Sequence, residues 1–319
     1  MRQLPHWRVG SPPMPARFAL LVAMLCTLSS LLSGCGGVSA ATGAGGGAGI
    51  QIVAAENFWG SIAAQLAGSR ASVQSLIVNP AQDPHSYEPT PADARTLATA
   101  QLVIANGLGY DPWIPRLLAA NPSSGRSVLS VGSLLGLHAG DNPHRWYSPT
   151  DVAAVASAVT AALQKLDPKD RAYFAGRLRQ FETAALGPYH ALIAAIRARY
   201  QGVPVGASES IFALQAPALG LRLLTPYGFM KALSEGTDPT AQDIATTERQ
   251  IAQRQIKVWI YNSQNATPEV ARLNASARAR GIPIATITET LSPPPDSFEQ
   301  WQDAQLRRIE QALHAATVR

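Results

Sequence analysis

Two histidines stand in nearly the same local pattern, and two glutamates follow two later apolar runs. Asp83-Pro84-His85-Ser86-Tyr87-Glu88-Pro89-Thr90-Pro91 is a turn-rich loop holding one imidazole. Asn142-Pro143-His144-Arg145-Trp146 repeats its Pro-His-x-aromatic order. A proline ahead of each histidine stiffens the backbone and lowers the entropy lost when the ring is held in place. Neutral imidazole is the commonest side-chain metal ligand. One such loop histidine is an ordinary surface hydrogen bonder; two in one pattern shift the balance toward ligands. Glu209 lies in Ala207-Ser208-Glu209-Ser210, after the apolar run 203–205, and Glu289 lies in Thr288-Glu289-Thr290, after 283–286. Two imidazoles and two carboxylates would make a four-ligand site suited to a divalent first-row metal. The residues alone also allow a plainer reading, with Glu209 a carboxylate favoured at a helix start and Glu289 a solvated loop charge. His138, His190 and His314 lack the pattern and read as surface or helix residues. Tyr87, Trp146 and Tyr227 either shield a cleft or pack, and Glu235 and Asp238 read as turn and cap residues.

The elements that must position these groups follow from the spacing of apolar runs. Strands are predicted at 50–55, 73–78, 102–105 and 128–131, and again at 203–205, 221–224, 257–261 and 283–286. Helical segments lie between them. Thr90-Pro91-Ala92-Asp93 has the form of a capping box with proline at the first helical position. Ser148 or Thr150 opens a helix to Leu163, Thr240 caps 241–253, and 297–314 closes the chain. A long periodic segment from Asp167 to Tyr200 separates the two sets of strands. Pro188 within it leaves the Ala184 carbonyl without a donor, which predicts a kink or break at 187–188. The fold class is therefore α/β: two lobes, each a mostly parallel sheet with flanking helices, joined by a long backbone helix. The expected boundaries are a lobe over 50–166, the linking helix over 167–200 and a second lobe over 201–319. Ligands in such sheets sit beyond the carboxyl ends of the strands, and two lobes make the cleft between them the expected site. No internal sequence repeat is evident.

The first 34 residues carry Arg2, Arg8 and Arg17, no acid, and an apolar run from Phe18 to Leu32. That is the shape of a secretory signal, too short in its apolar part to span a membrane. Leu32-Ser33-Gly34-Cys35 resembles the lipobox of bacterial lipoproteins, which implies lipidation at Cys35 and a chain anchored on the outer face of a cell membrane or on its periplasmic side. The glycine-rich stretch to Gly49 reads as a flexible tether. Without the leader the net charge falls from +5 to about +2, and no basic cluster with interleaved aromatics occurs, so nucleic acid is not an expected partner. Cys26 leaves with the leader, and the body has no cysteine for a disulfide or thiol chemistry.

From Ile50 to the C-terminus the chain resembles the zinc and manganese group of metal-binding lipoproteins that serve bacterial ABC importers. DPHSYEPTPAD is similar to the group's first ligand motif and NPHRW to its second. ASES and ITETLSP fall where the group places its later ligands, and NGLGYDPW resembles its stretch after the third strand. The resemblance implies metal at the lobe interface, held by His85, His144, Glu209 and Glu289. The fourth position is often Asp in the group, and Asp296 stands near as a substitute. It further implies a monomeric binding protein, not an enzyme, that hands zinc or manganese to a membrane permease. Two carboxylates and the lack of a His-rich loop lean toward manganese, while the Irving–Williams order favours zinc at the same ligands. Acid should release the metal as the histidines protonate. The rival readings are a metal-dependent hydrolase with an open coordination position, an adhesin with a structural metal, and a binder of an organic solute, against which stands the lack of an arginine clamp.

Overall fold

Ile50–Glu56 is an almost unbroken apolar run, as a strand covered on both faces requires, and it forms the central strand β1 of the first sheet. A computed structural model describes residues 49–292 and 297–318. After β1 come α1 (Asn57–Ala67), β2 (Ala71–Ile77), α2 (Pro91–Ala98), β3 (Leu102–Ala105), α3 (Ile114–Ala120), β4 (Ser127–Ser130), the short α4 (Val131–Leu134) and α5 (Pro149–Leu166). The strands are parallel in the order β2-β1-β3-β4. Alternate residues of β1 and β3 serve opposite faces. Ile52, Ala54, Leu102 and Ile104 join the main core, whereas Val53, Ala55, Val103 and Ala105 pack in a smaller cluster with Leu97 and Trp113.

The helical segment follows as α6 (Arg171–Gln180), a π-helical turn over Phe181–Ala185, and α7 (Leu186–Tyr200). Of the predicted kink or break at 187–188, the chain shows no break and stays helical through Pro188. The helix instead widens just ahead of Pro188, where the Leu186 N–H bonds to the Phe181 carbonyl five residues back. The wider turn gives the pyrrolidine ring room against the Ala184 carbonyl.

The second sheet is built from β5 (Pro204–Ala207), β6 (Arg222–Leu223), α8 (Tyr227–Ser234), α9 (Ala241–Ala252), β7 (Val258–Asn262), α10 (Pro268–Ala279), β8 (Ile284–Ile287) and α11 (Phe298–Thr317). Its order, β6-β5-β7-β8, repeats the first sheet strand for strand, and it too is parallel. The duplication is one of topology, with no counterpart in repeated sequence. The helices start on the caps read from sequence: Thr90 with Asp93 as a full capping box, Ser148, Thr240, and Ser297 with Gln300. A single apolar core runs through both lobes. It takes Phe174, Phe181, Leu186, Tyr189, Ile193 and Ile196 from the linking helix. Among the described residues no helix is long and apolar enough to cross a membrane.

Phe58, at the start of α1, is fully buried and stacks on Trp146 with ring centroids 3.8 Å apart. Phe58→Ala empties that stack and should cost about 3–5 kcal/mol, read as a lowered urea midpoint with an unchanged slope.

Candidate functional site

The winding reverses at β1 in the first sheet and at β5 in the second, and the segments following the carboxyl ends of the strands carry His85, His144, Glu209 and Glu289. His85 lies on the loop after β2. That loop is held by the Asp83 carboxylate, which accepts from the His85 N–H (2.9 Å) and the Ser86 hydroxyl (2.8 Å). It is held again by the Trp113 indole, which donates to the Pro84 carbonyl (3.1 Å). Tyr87 donates to Asp93 in the cap of α2 (2.8 Å), so it is a brace for the loop and not a lid on the cleft.

His144 follows β4 and α4, and its side chain is fully buried. Trp59 donates to the Asn106 amide oxygen (3.0 Å), and Asn106 in turn donates to the Pro143 carbonyl (2.9 Å), tying the histidine to the end of β3. The Asn142 amide oxygen accepts from the His144 N–H (3.1 Å) and lies 2.8 Å from its Nδ1. The Asn142 nitrogen is committed to the Ser210 carbonyl (2.7 Å), which fixes which end of the amide faces the ring. Nδ1 therefore carries a hydrogen, and Nε2 faces the Glu289 carboxylate. Tyr110 stands against both imidazoles, with ring centroids 4.8 Å from His85 and 5.9 Å from His144, and Trp146 packs behind them.

Glu209 follows β5 in extended backbone at the start of a 3₁₀ turn, and is 1% exposed. Glu289 follows β8. Thr288 beside it donates its N–H to Gln305 (2.6 Å) and accepts at its carbonyl from Tyr147 (2.7 Å). Asn262, the last residue of β7, joins the two carboxylates: its amide nitrogen donates to Glu209 Oε2 (3.1 Å) and to Glu289 Oε2 (3.3 Å). Each glutamate is thus left with Oε1 to offer elsewhere.

Glu289 Oε1 lies 3.3 Å from His144 Nε2 and 4.0 Å from His85 Nε2. Glu209 Oε1 and His85 Nε2 are buried and have no hydrogen-bond partner. Two buried electron-pair donors thus lack a protein hydrogen, while His144 Nε2 and Glu289 Oε1 face one another. Burial, then the charge of Glu289, pushes the Glu209 carboxyl up to about 8. Burial also works to raise Glu289, but the hydrogen bond and charge of His144 and the charge of His85 outweigh it and hold Glu289 below its ordinary value. Ligation of zinc at about 2.0–2.2 Å sets neighbouring tetrahedral ligand atoms about 3.4 Å apart. The His144–Glu289 spacing meets this, and the His85–Glu289 spacing is slightly long. At these spacings no group of three His, Cys, Asp or Glu among the described residues is close enough together to hold a metal ion.

The structure brings His85, His144 and Glu289 together and links Glu209 to them through Asn262. Asp296 and Cys35 lie outside the described residues. His138, His190 and His314 lie elsewhere, on a loop and on two helices. Tyr227 is 47% exposed at the rim, and Trp146 is core. Asn262 was not anticipated from sequence; a carboxamide directly at the end of a strand, in Tyr261-Asn262-Ser263-Gln264, was its only signal.

The family model described as zinc-uptake complex component A, periplasmic, matches residues 52–312. The chain is 29% identical over 150 residues to the manganese-binding lipoprotein MntA of Halalkalibacterium halodurans, covering 46% of this chain and 49% of that one. It is 25% identical over 243 residues to the high-affinity zinc uptake system protein ZnuA of Bacillus subtilis, covering 68% of this chain and 72% of its relative. The first of these matches thus spans about half of its relative's length. The Mn-bound periplasmic metal binding protein from Candidatus Liberibacter asiaticus has a similar fold, with a TM-score of 0.68 at 19% identity, over 83% of this chain and 99% of that one. With 52–312 reaching from β1 into α11, and with the paired sheets and cleft described above, the chain belongs to the zinc-uptake complex component A family.

Proposed function

We propose that this protein captures a divalent transition metal, zinc or manganese, outside the cytoplasm and delivers it to an ABC permease. His85, His144, Glu209 and Glu289 are the proposed ligands. The observation that carries the reading is a pair of buried, unpartnered electron-pair donors, Glu209 Oε1 and His85 Nε2, beside the close approach of His144 Nε2 and His85 Nε2 to one carboxylate oxygen of Glu289. Buried electron-pair donors without a hydrogen to accept call for a cation beside them. Here the metal is cargo. The relatives' names, a manganese-binding lipoprotein and a zinc uptake protein, support that class of ligand and leave both metals as candidates. Lipidation at Cys35 would tether the folded body near the permease, and the protein would act as a monomer. Membership in an uptake family argues for a binding protein over a hydrolase.

The protein's own groups prepare the site. Asn142 fixes the His144 tautomer, and Asn262 turns one oxygen of each glutamate toward the ligand. Tyr110 and Trp146 keep one side of the pocket apolar, which strengthens every charge interaction inside. His85 is the most exposed of the four, with 27% of its side chain open to solvent, and it stands nearest the way in.

Alanine at His85 or His144 should weaken zinc binding at least about a hundredfold in competition titration with a chelator dye, and an unchanged affinity for both would refute the ligand set. Asn142→Ala, which frees the His144 ring without removing it, should cost about 10–100-fold.

The Glu209 carboxyl near 8 gives a sign to the pH dependence. At pH 7 the group is mostly neutral in the metal-free protein and must ionise to ligate. Metal binding should therefore release a proton, seen as a calorimetric enthalpy that changes with the ionisation heat of the buffer, and affinity should climb with pH up to about 8. For folding of the metal-free protein the sign is opposite. The folded value lies above the ordinary 4.5, so the contribution of Glu209 is fully present below 4.5 and is lost as pH rises through about 8. Burial raises Glu56 in the same direction. A loss of this slope in Glu209→Gln would confirm the source.

A further inference from the structure

Gln264, two residues beyond β7, makes four contacts through one side chain. Its Oε1 accepts from the Glu289 N–H (2.6 Å) and the Thr290 N–H (2.8 Å). Its Nε2 donates to the Thr290 hydroxyl (2.7 Å) and, across the cleft, to the Pro80 carbonyl (2.7 Å). Pro80 belongs to the loop that carries His85, in the other lobe. A single amide thus holds the backbone of one proposed ligand and reaches over to the loop of another. It also lines a cavity of about 220 Å³ between the lobes, together with Asp83, His85, Glu235 and Glu289. That cavity touches the partly open His85 and runs along the cleft, so it is the path by which an ion would leave.

We infer that Gln264 is the latch of this path: a positioning residue whose cross-lobe hydrogen bond to Pro80 keeps the His85 loop closed over the ion and sets the rate of metal release. The inference rests on the metal-cargo reading above. Other links between the lobes tie down different places. Asn57 pairs with the Leu291 backbone, and Asn142 donates to Ser210. Of the described hydrogen bonds, the one from Gln264 is the one that reaches the 79–85 loop from the second lobe. Because it touches no ligand atom, its loss should act on dissociation and leave association nearly unchanged.

Two variants separate the two ends of the amide. Gln264→Met removes both. Gln264→Glu still accepts from Glu289 and Thr290 but cannot donate to Pro80, and it serves if the methionine variant fails to fold. The measurements are chelator-chase stopped flow on zinc-loaded protein and peptide-level hydrogen exchange on the metal-free form. Both variants should release zinc about tenfold faster, with association changed by less than about twofold. Exchange should accelerate over 79–86 in both variants, and over 288–291 only in Gln264→Met. Added negative charge alone would slow release, so faster release from Gln264→Glu marks the lost latch. Release from Gln264→Glu at or below the wild-type rate, or unaltered exchange over 79–86, overturns the inference. If the wild-type protein holds no zinc or manganese, the cargo reading fails, and the exchange arm still decides whether Gln264 closes the loop.

Discussion

Two carboxylates buried in one cleft repel each other and lose their water, and the architecture around them is organised by that cost. Removing a charge from water is expensive unless a partner repays it. The protein meets the cost unequally. Two imidazoles hold Glu289 below its ordinary value, whereas Glu209 has only the carboxamides of Asn262 and Asn265 and is pushed up to about 8. The pair of carboxyls is therefore less charged than its residue types suggest. Beside it, Glu209 Oε1 and His85 Nε2 remain buried without internal partners.

Around this pair the supporting groups are mostly carboxamides. Asn106, Asn142, Asn262 and Gln305 each hold backbone or ligand-bearing side chains in the loops at the strand ends. A carboxamide offers a donor and an acceptor without charge. It can order a loop beside two glutamates without adding to their repulsion or neutralising them as a lysine or arginine would. Beneath the loops, the two sheets share one apolar core through the linking helix. The scaffold is thus continuous where it is dry and adjustable where it is polar.

The fold was largely legible from the chain. Every strand was foreseen within a few residues, because a parallel sheet covered on both faces needs short continuous apolar runs, and the caps at Thr90, Ser148, Thr240 and Ser297 announce their helices. Pro188 was read as a kink or break, and the irregularity took the form of a π turn just ahead of it, since local rules give the cost of a proline and not the remedy that packing selects. At the site, His85 and His144 stood out by pattern, but Glu209 and Glu289 needed the resemblance to a known group, for a glutamate after a strand has no local mark. The partners of the amides were not legible. Asn262 acts on residues 53 and 27 positions away, and nothing in its neighbourhood encodes those distances.

The π turn over Phe181–Ala185 has one more effect. It inserts, in essence, a single extra residue into an otherwise regular helix, and each residue turns an α-helix by about 100°. Before the turn, the helix packs against α1 and α5 of the first lobe; after it, against α11 of the second. The bulge therefore re-aims the apolar stripe midway, so that one rod can seal two cores lying on different sides of it. A one-residue deletion there would restore ideal helical bonding and yet swing Tyr189, Ile193 and Ile196 away from the core that now buries them. Helix length over this stretch is thus an inherited phase setting, and lineages of the fold should tolerate almost any substitution within the bulge more readily than the gain or loss of one residue.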